Sequence, residues 1–308
     1  MNKIITYLAI YFISLSGVLA QVTSEEIMIN NMEIQLSGTL TFSADKQPLL
    51  IWVHGSGNVD RNGNQAGVDI KANYIKQFRD AVNEENIAFF SFDKRTANPK
   101  NMEFMKDGIL FSDFIMDVKE VINHFKDDKR FSQIILAGHS QGSLIAMGAL
   151  EYADKYISIS GPGEAVDQVL IKQISKQNPI LGVSVKNHFK ELAETGSIKE
   201  VNPMLLSIFS EPNQPFFKSW MKENPADVIK TVEIPILIIN GDKDLQVMVD
   251  DAKTLHEANP KSELVIIENM NHVLKDIQKD EDNMKSYYSA DYPISQKLIE
   301  TVVTFINK

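Results

Sequence analysis

Apolar residues along this chain come in two kinds of run, and the two kinds alternate. Unbroken apolar runs of strand length occur at Leu49–Val53, Ile87–Phe92, Gln133–Ala137, Tyr156–Ile159, Ile236–Ile239 and Leu264–Ile267. A run without polar alternation suits a strand buried on both faces, as in a parallel sheet. Between these runs the spacing becomes that of one helix face. From Asp113, apolar side chains recur at Phe114, Ile115, Val118, Val121, Ile122 and Phe125, which is a single helical stripe. Ser143–Tyr152 and Gln296–Phe305 read the same way. Buried strands alternating with amphipathic helices predict an α/β fold, a mainly parallel central sheet flanked by helices. Ahead of them, Glu25–Phe42 reads as short strands broken at Asn30-Asn31 and near Gly38, an antiparallel opening to the sheet.

The alternation stops at about residues 161–231. Val166, Val169, Leu170 and Ile174 are followed by Phe189 and Leu192, then Met204, Leu205, Ile208 and Phe209, then Phe216, Phe217, Trp220 and Met221. Pro179, Pro203, Pro212 and Pro225 divide this stretch into several short helices. A helical insertion rich in aromatics and methionine between two sheet strands predicts a cap over a pocket. Most of those side chains are expected to pack the insertion on the core, and only a few to reach a ligand.

Composition narrows the picture. The 308 residues are 44% apolar, ample for a large core, and carry a net charge of −10 with no basic patch. Such a surface repels nucleic acid and anionic membranes. Met1-Asn2-Lys3, the apolar run Ile4–Ala20 and its Val18-Leu19-Ala20 ending predict a signal peptide over residues 1–20, cleaved before Gln21, and hence an exported protein. As an uncleaved anchor the run is short against the ~20 residues that cross a bilayer. No later stretch is long and apolar enough to insert. With no cysteine, the protein is neither a disulfide scaffold nor a lipoprotein acylated on cysteine, and its stability rests on its core.

Chemistry enters at Gly138-His139-Ser140-Gln141-Gly142, which follows the run Ile134–Ala137 and precedes a helical stretch. This is G-x-S-x-G in a strand-to-helix setting, the pattern of an exposed nucleophilic serine on a sharp turn. A strained serine backbone leaves no room for flanking side chains, so glycine stands two residues to either side. The Gln141 amide, at a helix start, is placed to stabilise a developing oxyanion. A second donor is expected from His54-Gly55-Ser56-Gly57, directly after the first buried strand, through the amide of Ser56 or Gly57. The polar continuation Asn58–Asn64 would rim the pocket mouth.

A serine needs a base, held in turn by a carboxylate. Of six histidines, His54 comes too early in the chain, and His139 sits inside the turn with its side chain expected to point away from the hydroxyl. His124 reads as surface, His188 lies in the insertion and His256 in a polar helical stretch. That leaves His272, just after the last buried strand. The carboxylate should follow the strand Ile236–Ile239, where Asp242 and Asp244 compete in Asn240-Gly241-Asp242-Lys243-Asp244. Asp244, fourth in a G-x-x-D-x-x-V turn, is favoured, with Asp242 read as a turn residue.

These motifs together resemble the α/β-hydrolase superfamily, in particular its bacterial esterase and serine-aminopeptidase-like, dienelactone-hydrolase-related group. The resemblance rests on His54-Gly55-Ser56-Gly57 with Asp60–Asn64, on Phe92-Asp93-Lys94-Arg95, on the serine pentapeptide and on Asn271-His272-Val273-Leu274. It covers nearly all of residues 21–308, with the insertion matching least. Thr96 departs from it, standing where relatives often carry glycine, so that loop is expected to differ in shape. The resemblance implies a serine hydrolase that cleaves small carboxylic esters, most often of short acyl chains, with the triad order Ser140, Asp244, His272 and no metal or organic cofactor. A peptidase would use the same triad and add an acidic cluster in the cap to recognise an amine. A dehalogenase would need an aspartate in place of Ser140. A binding protein on an inactivated scaffold would usually lack a triad member, and all three are present. The acidic run Asp280-Glu281-Asp282 reads as a solvated turn.

Overall fold

The six unbroken runs form the parallel part of one eight-stranded sheet. The computed structural model describes residues 21–44, 46–69 and 71–308; the expected signal peptide at 1–20 lies outside them. The strands are β1 (Thr23–Asn31), β2 (Ile34–Phe42), β3 (Gln47–Val53), β4 (Ala88–Phe92), β5 (Phe131–His139), β6 (Lys155–Ile159), β7 (Ile236–Gly241) and β8 (Glu263–Ile267), in the order β1-β2-β4-β3-β5-β6-β7-β8. β1 and β2 are antiparallel to their neighbours, and β3 through β8 run parallel.

Strand alternation sorts the core into two layers. Leu49, Ile51 and Val53 join one apolar cluster with Phe90, Leu136 and Ile238, while Leu50 and Trp52 join the other with Phe89, Ile135 and Ile239. Successive side chains point to opposite faces, and both faces are covered. One face packs α1 (Tyr74–Glu84), the last helix α11 (Gln296–Ile306) and the segment around Leu274; the other packs α2 (Phe111–Phe125) and α3 (Gln141–Met147). Between β6 and β7 lie α4 (Val166–Gln177), α5 (Pro179–Thr195), α6 (Leu206–Phe209), α7 (Gln214–Trp220) and α8 (Pro225–Ile229), the expected cap; α9 (Val249–Ala258) and α10 (Asp280–Ser286) complete the set. Pro179, Pro203, Pro212 and Pro225 each stand in the first turn of a helical segment, where the missing N–H has no intrahelical partner to lose.

Four local readings change. The opening strands do not break at Gly38, which pairs with Ile27 on one side and Phe92 on the other. A Cβ there would fall 2.2 Å from the Phe90 ring, so the glycine makes room for an aromatic on the adjacent strand. The hairpin turn is Met32-Glu33 rather than Asn30-Asn31, which stay paired with Gln35 and Ile34. The helix expected over Ser143–Tyr152 begins at Gln141 and yields after Met147 to a 3₁₀ turn at Leu150–Tyr152. Finally, Asp280-Glu281-Asp282 is the first turn of α10 rather than an isolated turn, with acidic groups at the positive end of the helix dipole.

Candidate active site

The carboxyl ends of the parallel strands bring together loops far apart in sequence, the usual ligand-binding edge of an open α/β sheet. At the end of β5, Ser140 takes φ 54° and ψ −125°, and α3 starts at the next residue. A non-glycine residue at this φ is strained. The strain is held by the Ser140 amide donating to the Ile159 carbonyl at 2.9 Å and by the Ser143 amide donating to the Ser140 carbonyl at 2.9 Å. A Cβ on Gly138 would lie 2.4 Å from the Gly142 carbonyl oxygen, and one on Gly142 would lie 2.2 Å from that of Val53. The glycine spacing is therefore a packing requirement of a turn pressed against β3.

After β7 and β8 come Asp244 and His272, the expected acid and base. His272 Nδ1 and Asp244 Oδ2 are 2.8 Å apart, and both side chains are buried. The other carboxylate oxygen accepts the amides of Gln246 at 2.8 Å and Val247 at 3.0 Å. Burial pushes the Asp244 carboxyl up, but the imidazole and the two amides outweigh it and hold it below the usual carboxylate range. Asp242 instead accepts the Asn269 amide at 2.7 Å and ties the two loops together. It is a turn residue, as its position in the sequence suggests.

Ser140 lies where two cavities meet. One, of about 210 Å³, is bounded by Tyr74, His139, His272 and Tyr287; the other, of about 150 Å³, runs under the cap beside Val166, Leu170 and Trp220. Ser56, Ser140 and Gln246 border both. Gly55 and Ser56 thus reach the serine, whereas Gly57 borders neither cavity; it has φ 91°, and a Cβ on it would lie 2.8 Å from the Gln65 side chain. Gln141 borders the cavity under the cap. A larger outer cavity of about 430 Å³, between α4 and residues 245–251, touches neither Ser140 nor His272.

The remaining histidines divide as their sequence positions suggest, with one addition. His124 is exposed. His188 accepts the Asn202 amide at 3.0 Å inside the cap, and His256 contacts the Ser262 hydroxyl at 2.9 Å. His54 is buried edge-on to Phe92, and burial with the nearby Lys94 cation lowers its pKa to about 3. His139 has a task that sequence reasoning missed. Its ring stacks on Trp52, and burial together with His272 lowers its pKa to about 3. The neutral Nε2–H donates to the His272 carbonyl at 2.8 Å and braces the loop that carries His272. Gln246 was also missed. Its amide binds Asp244, while its carbonyl accepts Gln173 Nε2 of α4 at 2.8 Å, linking the Asp244 loop to the cap. Both roles use a backbone carbonyl as acceptor and leave no residue pattern to find.

Comparison with known proteins agrees with this architecture. The BD-FAE family model matches residues 39–258. Esterase EstD of Thermotoga maritima is 23% identical over an alignment of 262 residues that covers 81% of this chain; the chain spans about 60% of that protein's length. Among solved structures, Est1E from Butyrivibrio proteoclasticus with ferulic acid bound superposes with a TM-score of 0.58 at 17% identity, over 92% of this chain and 100% of that one. The Pyrococcus furiosus esterase Pf2001 superposes with a TM-score of 0.59 at 17% identity, over 94% of this chain and 91% of that one.

Proposed function

Because the chain belongs to the BD-FAE family of α/β-hydrolases, we propose that it is a serine esterase in which Ser140 attacks the carbonyl of a short-chain acyl ester. The observation that carries this reading is the buried His272–Asp244 pair, 2.8 Å apart, opening on the cavity that Ser140 also lines. His272 donates through Nδ1 to Asp244, which leaves Nε2 free to take the Ser140 proton. Asp244, held ionised, stabilises the imidazolium that forms. The amides of Gln141 and of the Ser56–Gly57 loop hold the oxyanion. The alcohol leaves with the proton from His272, and water then releases the acyl group from Ser140 through the same base. The acyl group sits under the cap against Trp220 and Leu170, and the leaving group sits against Tyr74 and Tyr287. With the leader read in residues 1–20, the enzyme works outside the cytoplasm.

An aminopeptidase reading has less support. Among the described residues, the only carboxylate bordering either cavity is Glu164, and it is paired with Lys172. Among the described residues, neither cavity is bordered by a free acidic cluster for a substrate amine. The test is p-nitrophenol release from acetyl, butyryl and octanoyl esters by residues 21–308, beside Ser140→Ala, with methyl ferulate added because Est1E holds ferulic acid. Wild-type turnover that falls by up to about 10⁶ in kcat in the variant is expected. A folded wild type inert on every ester would end the esterase reading.

A further inference from the structure

Asp93-Lys94-Arg95, directly after β4, carries three charges, and two of them serve the scaffold. Asp93 takes Arg61 through Oδ1 at 3.0 Å and Oδ2 at 2.7 Å. Arg95 takes Asp117 through two bonds of 2.7 Å. Lys94 points elsewhere. It is 5% exposed, and its ammonium donates to the Gly55 carbonyl at 2.7 Å and to the Gln141 side-chain oxygen at 2.7 Å, 4.5 Å above the Phe114 ring. Gly55 precedes Ser56, and Gln141 follows Ser140. One buried cation therefore joins the two chain segments expected to supply the oxyanion donors.

We propose that Lys94 is a positioning residue of the oxyanion hole, its ammonium fixing the Ser56 amide and the elbow in register. This rests on the serine-esterase reading above. The Gly55 carbonyl and the Ser56 N–H belong to one planar trans peptide unit and point to opposite sides of it. Anchoring the carbonyl on Lys94 turns the Ser56 N–H the other way, toward the cavities that Ser56 borders. The same geometry selects Ser56 over Gly57 as the donor. A charge here is costly, since burial lowers the lysine pKa to about 7 with Asp117 pulling it back. A neutral amine would still have two N–H groups for the same two acceptors, so side-chain replacement tests the role more sharply than pH.

The experiment compares Lys94→Met with wild type in three readouts: kcat and KM on p-nitrophenyl butyrate, Ki for a trifluoromethyl ketone that forms an oxyanionic adduct with the serine, and thermal unfolding. Expected are falls of about 10² in kcat and in ketone affinity together, the range for disturbing an oxyanion donor, with KM within about twofold and cooperative unfolding retained. Because the chain has no cysteine, Lys94→Cys carries a unique thiol. Aminoethylation in the unfolded state and refolding, beside wild type taken through the same cycle, should restore most of the lost kcat. This arm also decides the case in which Lys94→Met does not fold. Unchanged kcat and Ki in Lys94→Met, a fall in kcat without a matching fall in ketone affinity, or no recovery on aminoethylation would each overturn the proposal. Wild-type turnover and Ser140→Ala test the esterase reading separately, so either idea can fail alone.

Discussion

The loops at the strand ends and the cap above them are held by different forces. In the loops the bonds are directional. Asp244 takes three hydrogen bonds, His139 holds the His272 carbonyl, and Asn271 donates to Asn283 at 3.0 Å and to Ser286 at 2.7 Å. In the cap the contacts are mainly apolar. Phe189, Phe209, Phe217 and Trp220 interlock edge to face and stacked, and Trp220 lies on Phe111 of α2 with ring centroids 5.4 Å apart and planes 8° from parallel. Ile180 and Met204, 83% and 70% exposed, extend that apolar character to the outer surface. Directional bonds fix atoms to a few tenths of an ångström, as proton transfer requires; apolar packing fixes only a shape, which is enough for a pocket wall. The chemistry is therefore expected to tolerate changes in the cap, and the cap to tolerate changes in the loops.

The sharpest way to break this division is Asp244→Asn, for which a fall of about 10⁴ in kcat is expected with the fold retained. The same variant has a pH signature. The folded carboxyl is held below its usual range, so its contribution to stability is present above the unfolded pKa of about 4 and is lost as pH falls through the folded value. Wild type should exceed the variant in melting temperature at neutral pH, and the gap should close on acidification. A gap independent of pH would mean that the pair's charge contributes nothing to stability. On the cap side the largest change is Trp220→Ala. Removing a buried indole from the Phe111 stack should lower stability by about 3–5 kcal/mol, read by urea unfolding, while kcat on the acetyl ester moves by less than about threefold. A collapse of kcat there would erase the contrast.

The same contrast explains what was legible in the sequence. The parallel strands could be read because burial on both faces forbids polar alternation in Leu49–Val53 or Ile236–Ile239. Ser140 could be read because the backbone clash at Gly138 and Gly142 admits only glycine. Asp244 and His272 followed from strand ends and chain order. α1 went unread because its inward face interrupts the apolar stripe of Ile75, Phe78 and Val82 with buried Arg79 and Asn83. The cap was legible only as composition, since apolar packing accepts many sequences of equal volume. His139 and Lys94 stand inside motifs that carry the resemblance, but their braces end on the carbonyl oxygens of His272 and Gly55, and since every residue has one, the motifs did not announce the bonds.

A smaller test of the directional side is His139→Phe, which keeps a ring on Trp52 and removes the donor to the His272 carbonyl. An unsatisfied buried carbonyl costs about 1–3 kcal/mol, and part of that should appear as a fall of about tenfold in kcat, with KM little changed. A fall in melting temperature with kcat unchanged would show that the brace serves the fold and not the base.

The smallest effect is expected where the two regions touch. Gln173 borders both the cavity under the cap and the outer cavity of about 430 Å³. Its Nε2 donates to the Gln246 carbonyl at 2.8 Å across the line between them. The pair is solvent-exposed, so Gln173→Ala should cost no more than about 1 kcal/mol in stability. Its consequence should lie in selectivity. With the bond and side chain gone, a longer acyl chain can pass from under the cap into the outer cavity, so KM for the octanoyl ester should fall severalfold. The acetyl ester ends short of Gln173 and should keep its kcat and KM. If both esters respond alike, Gln173 acts through Gln246 on the Asp244 loop, and the cap and the chemistry are coupled at this one bond. If neither responds, the outer cavity is not part of the substrate path, and the wall under Trp220 and Leu170 alone sets the acyl length.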